Sequence, residues 1–136
     1  MSAELAFTLA TAMLAASMWL PYIVGVNSTQ FEGQAESFVR PPDQRAMAPW
    51  IHRAHRAHLN LIEQFVPFAA VVLIGVAAGA SSPWLGWLAG AFFVLRCAHA
   101  VGMVSGWTRF PLRPIIFTAC YVIVLAYAAI VWAVAA

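Results

Sequence analysis

Four long apolar segments dominate this chain, at residues 5–26, 49–78, 83–105 and 112–135. A helix needs roughly 20 mostly apolar residues to cross the hydrocarbon of a bilayer, and each segment meets that length. Backbone amides have no water to bond in hydrocarbon, so a spanning segment must satisfy them internally, as a helix does. Composition agrees. Of the 136 residues, 63% are hydrophobic and 9% charged, against about 25% charged in an average soluble domain. Mean hydropathy is +0.82. A water-soluble domain this small lacks the interior volume to hide so much apolar surface. The expected fold is an all-α membrane protein, a four-transmembrane-helix bundle forming a single domain over residues 1–136.

Local signals place the ends. Pro49 and Pro83 sit where a helix tolerates proline, in its first turn. Ser81 and Ser82 are candidate caps for the third helix. The leader Met-Ser-Ala-Glu has no cation and the apolar run behind it is long, so a retained helix is expected rather than a cleaved signal. Residues 27–48 form the only long polar loop, which Pro41 and Pro42 stiffen. Loop arginines fall at Arg40, Arg45 and Arg109, in the first and third connections. The positive-inside rule then puts these loops in the cytoplasm and both termini on the opposite side. Frequent small residues, among them the pairs Gly75/Gly79 and Gly86/Gly90, permit close helix approach. Cys97 and Cys120 lie inside apolar segments, without metal spacing or a loop context for a disulfide.

The second segment departs from the others. Its first half reads Ile-His-Arg-Ala-His-Arg-Ala-His-Leu-Asn-Leu-Ile-Glu-Gln, residues 51–64. At about 100° per residue, Arg53, Arg56, Asn60 and Glu63 share an arc of about 80° on one helical face. Charged and amide side chains at that depth are costly in lipid and turn toward a bundle interior or a wet cavity. A charged Glu63 needs a partner, and Arg56 and Arg53 are the nearest on its face; a protonated Glu63 is the other way to hold it there. A structural ion pair would explain the early residues, whereas the deeper Arg56, Asn60 and Glu63 point to function. His52, His55 and His58 have a spacing that invites a metal. Two steps of three residues spread them over about 120° beside cationic arginines, so no metal is expected. Arg96 and His99 share a face of the third segment, and Arg113 opens the fourth. All seven cations are arginine, whose planar fork suits carboxylates. No basic stripe lies on a soluble face, so nucleic acid is not an expected partner.

The run Arg56-Ala57-His58-Leu59-Asn60, then Glu63, then Pro67-Phe68, resembles a signature of the MAPEG family, the membrane-associated proteins in eicosanoid and glutathione metabolism. Arg96 and His99 resemble that family's Arg-x-x-His, and Arg113 resembles the arginine opening its fourth helix. The resemblance, which extends to microsomal glutathione transferase, implies a homotrimer that binds glutathione between subunits, open to the cytoplasm. It assigns Arg56, Asn60, Glu63, Arg96 and His99 to glutathione and Arg113 to catalysis, as the cation stabilising the thiolate. The implied activity is a glutathione-dependent transferase or peroxidase acting on hydrophobic electrophiles that arrive from the lipid. The chain also departs from the pattern. Met103 and Phe117 stand where family enzymes often have tyrosine. Gly25, Val26 and Asn27 occupy the region of an expected cation, and one extra residue lies between Met103 and Pro111. Prostaglandin or leukotriene synthesis is therefore not expected. A non-catalytic member binding a lipid or a partner protein is the alternative, and an ion or proton pathway through the buried Arg, His and Glu a third.

Overall fold

The computed structural model describes residues 1–36, 39–40, 43–107 and 110–135. Among the described residues there are five α-helices: α1 (Ala3–Ser17), α2 (Trp19–Ser28), α3 (Pro49–Ala77), α4 (Pro83–Ser105) and α5 (Leu112–Ala135). A 3-10 turn spans Gln34–Glu36 in the long loop. The stretch Ala3–Ser28 and the helices α3, α4 and α5 are long and apolar enough to make four membrane spans. The protein is thus an integral, multi-pass, all-helical membrane protein. Pro41, Pro42 and Arg109, on which part of the loop reading rests, lie outside the described residues.

The first span is broken where the sequence suggests one continuous helix. α1 ends at Ser17 and α2 starts at Trp19. Pro21 explains this, because it has no N–H to give the carbonyl of Ser17 four residues earlier. The Met18 N–H makes the last regular bond of α1, to the Leu14 carbonyl at 3.0 Å, and is shared with the Ala15 carbonyl at 3.4 Å. The Ser17 hydroxyl bonds the Met13 carbonyl at 2.8 Å, a back-bond that also bends helices. The other three spans start and stop within one residue of their sequence-based ends. The Ser82 hydroxyl accepts from the Trp84 N–H at 3.4 Å and caps α4; the capping role suggested for Ser81 is not seen.

α3 packs against every other span, and α1 lies most extensively on α4. Glycines set the close approaches. A Cβ on Gly86 would fall 3.1 Å from Ala3, and one on Gly90 would fall 3.1 Å from Phe7. The Gly86/Gly90 pair is thus used within the chain, between α4 and α1. Gly25 of α2 meets Trp50 and Ile51 of α3 more tightly still, at 2.7 and 2.8 Å.

The two ends of the bundle differ. The half formed by the end of α3, the start of α4 and the end of α5 is apolar. There Phe68 and Phe92 stack at 4.0 Å, with Tyr127 edge-on at 5.8 Å. Trp84, Trp87 and Trp132 stand exposed at that end, and Trp107 at the other. Exposed tryptophans at both ends fit the two water–lipid interfaces. The 23 residues of α4 give about 34 Å of helix between them. At the opposite end the helices meet through small side chains such as Ala57 and Ala100, and there the arginines gather. Gly25→Leu is expected to destabilise the protein by about 1–3 kcal/mol through overpacking against Trp50 and Ile51. Thermal unfolding in detergent measures this, with Val24→Leu, at the exposed neighbouring position of α2, as the comparison.

Candidate functional site

α3 presents its polar face to a cavity of about 570 Å³ between the starts of α3 and α5 and the end of α4. Arg53, Arg56, Asn60 and Glu63 enter from α3, Met103 from α4, and Arg113, Pro114, Phe117 and Thr118 from α5; Phe110 stands at the edge. The helical spacing explains the grouping. The four α3 residues recur every three or four positions, and so do Arg113 and Phe117 on α5. The structure therefore brings together Arg56, Asn60, Glu63 and Arg113, four of the six residues singled out from the sequence. Asn60 is buried, Arg113 half-buried, and Arg56 and Glu63 are exposed on the outer face of the bundle.

The ion pair that a charged Glu63 could make with Arg53 or Arg56 is not formed among the described residues. Among the described residues the only pair within 4 Å is Arg40 with Glu36, at 3.9 Å in the loop. Arg53 is drawn elsewhere. Its Nε donates to the Met103 carbonyl at 3.0 Å, and its guanidinium lies over Gly106, where a Cβ would fall 2.9 Å from Nη2. The last carbonyls of a helix lack internal donors and carry partial negative charge, so Arg53 closes the end of α4. Arg56, Asn60, Glu63 and Arg113 make no side-chain hydrogen bond among the described residues. Pro67 also withholds its missing N–H from the Glu63 carbonyl, leaving a further acceptor near the site.

Arg96 and His99 lie beneath the cavity rather than on its wall. They are 1% and 0% exposed. Arg96 Nη1 donates to Gln64 Oε1 at 2.9 Å, and Nη2 lies 3.3 Å from His99 Nδ1. Arginine can only donate, so His99 Nδ1 accepts. Gln64 Nε2 in turn donates to the Phe117 carbonyl at 2.9 Å. The sequence reading gave Gln64 no role, although helical geometry places it only about 20° from Arg53.

The three histidines go separate ways. His52 Nδ1 donates to Gln44 Oε1 at 2.7 Å, and Gln44 Nε2 donates to His55 Nδ1. His55 also stacks on Tyr22, with ring centroids 4.6 Å apart. The first two therefore tie the long loop to α3. His58 Nδ1 is buried without a hydrogen-bond partner among the described residues. Among the described residues no three His, Cys, Asp or Glu side chains come together as metal ligands. Cys120 is buried and Cys97 half-buried, and both are free.

A multi-span helical protein with a cationic pocket set into one end of its bundle is the class these features define. Within that class the chain belongs to the MAPEG family, whose model matches residues 6–134. It is therefore a membrane protein of the family associated with glutathione and eicosanoid metabolism. No single curated protein matches the chain.

Replacing Arg53 by methionine is expected to cost about 1.5–3 kcal/mol, the range for a hydrogen bond to a charged group. Denaturation in detergent gives the loss, and faster amide exchange confined to the end of α4 assigns it to the cap.

Proposed function

We propose that this protein binds glutathione in the cavity between α3 and α5 and uses it against lipophilic electrophiles, as a transferase or peroxidase. The observation carrying this reading is the charge and polarity of the cavity wall. Arg53, Arg56 and Arg113 against Glu63 give +2 (three minus one). Glutathione, with two carboxylates and one ammonium, carries −1, and −2 once its thiol ionises. The pocket thus complements the reactive form best. Family membership supports the same ligand.

Each residue has a task set by its chemistry. Glu63 accepts from the ammonium. The Asn60 amide both donates and accepts, as a peptide bond requires. Arg56 pairs with a carboxylate, which its fork fits. Arg113 lies nearest the thiol and favours its ionised form; a free thiol has a pKa of about 8.5, and a neighbouring arginine lowers it. Glutathione would supply the sulfur nucleophile. In the transferase reaction a carbon–sulfur bond forms and the electrophile's leaving group departs with the bonding pair. Arg96 and His99 act from beneath the wall. Met103, Phe110, Pro114 and Phe117 supply the apolar surface for the electrophile.

Arg56 and Glu63 face outward from the subunit at membrane depth. Such groups are expensive against lipid, so a second copy is expected to cover the cavity, in a homotrimer as in the family resemblance. Arginines gather at this end of the bundle, so the proposed orientation opens the site to the cytoplasm and puts both termini across the membrane.

The alternative, a non-catalytic lipid binder, is favoured by one observation: Met103 and Phe117 make the wall more apolar than tyrosines would. The two readings separate on Arg113→Leu. The transferase reading expects glutathione to bind with only a modest loss while turnover of a chromogenic aryl halide falls about 10²–10³-fold, the usual cost of removing a charge-stabilising group. Titration calorimetry should also show Glu63→Gln weakening glutathione at least tenfold, about 1.4 kcal/mol. Wild-type protein without glutathione-dependent turnover, but with lipid that co-purifies equally with Arg113→Leu, supports the alternative.

A further inference from the structure

Below the cavity a chain of polar contacts crosses three helices in a row. His99 and Arg96 belong to α4, Gln64 to α3 and Phe117 to α5. All three polar side chains are buried, Gln64 at 6% exposed. The Arg96 guanidinium also lies beside the Cys120 thiol, one turn beyond Ile116 on α5. No carboxylate is hydrogen-bonded to this arginine among the described residues. Packing alone does not call for such an arrangement, since apolar residues of similar volume commonly serve a buried site as well or better.

The far end of the chain gives it a purpose. Gln64 does not bond to a side chain of α5 but to the backbone carbonyl of Phe117. That carbonyl has a second lone pair beyond its helical bond. A contact to the backbone fixes the height of a helix along its own axis. Phe117 lines the cavity together with Arg113, four residues and about one helical turn earlier. On the other side Gln64 follows Glu63 directly and stands one turn after Asn60. One amide therefore joins the α3 residues that would hold the peptide to the α5 residue that would face its thiol.

We infer that Gln64, braced by Arg96 and His99, is a positioning residue that sets the height of α5 and so the place of Arg113 in the cavity. This rests on the glutathione reading for its catalytic consequence, but the strut itself does not. The spacing of the helix shows why height matters. A slip of α5 by one residue moves Arg113 about 1.5 Å, and misplacement by about 1 Å can cost on the order of 10²-fold in rate. Methionine has nearly the length of glutamine, with neither amide donor nor carbonyl acceptor. In Gln64→Met, Glu63, Asn60 and Arg56 remain in place.

The test compares full-length wild type with Gln64→Met in detergent, by glutathione calorimetry, pH titration of thiolate absorbance, turnover of an aryl halide and amide exchange. The expected result is a split. Glutathione affinity stays within about threefold, because its α3 contacts persist, while the midpoint for thiolate formation rises and kcat falls at least about tenfold, as displacement of Arg113 requires. Amides in the first turns of α5 exchange faster, and those of α1 do not. Unchanged kcat and thiolate midpoint overturn the inference, and so does a fall in affinity and kcat together that merely tracks a lower melting temperature. If wild type binds no glutathione, the functional reading fails and exchange alone judges the strut: unchanged protection in α5 overturns it. Wild type alone also bears on it, because a start of α5 that exchanges as fast as the 43–48 loop cannot be held by Gln64.

Discussion

A charged or amide side chain at membrane depth needs polar company, because lipid offers none. α3 carries five such groups on nearly one face, and the rest of the molecule is arranged around where they can go. Arg53 ends on the open carbonyls of α4. Gln64 is taken up by Arg96 and by the backbone of α5. Arg56, Asn60 and Glu63 face a cavity that Arg113 joins from the other side. What remains exposed on the outer face is polar, and that face calls for a neighbour or a guest.

The division of labour along the bundle follows. The apolar end is sealed by large rings, with Phe68, Phe92 and Tyr127 packed together. The arginine end is held by small residues and by individual hydrogen bonds. Close packing of α2 on α3 depends on Gly25, and Gln44 ties the long loop to His52 and His55. Rigid packing far from the cavity and directional bonds near it suit a site whose few charged groups must be held in fixed relation.

Much of this was legible in the sequence. Length and hydropathy gave the four spans, and helical spacing gave the shared face of Arg53, Arg56, Asn60 and Glu63. Four features were hidden for physical reasons. The break at Met18 comes from Pro21, whose lost hydrogen bond acts four residues back, inside a run that is apolar throughout. Arg53 lies on the same helical arc as Glu63, yet its long side chain reaches the end of another helix, and arc geometry cannot foretell that. Arg96 and His99 share a face, as their spacing requires, but spacing does not say whether that face borders the cavity or the layer beneath it. Gln64 passed without a role because its partners come from residues 32 and 53 positions away.

The central claim is that the α3 face opens to a polar guest and not to acyl chains. Water access from within the bilayer measures it most directly. In a background with Cys97 and Cys120 replaced by alanine, Asn60→Cys and Glu63→Cys are labelled in liposomes with a membrane-impermeant maleimide, beside Leu73→Cys on the exposed apolar stretch of α3. The account expects rapid labelling at 60 and 63 and little at 73. Labelling of 60 and 63 only by a lipid-soluble reagent would contradict it.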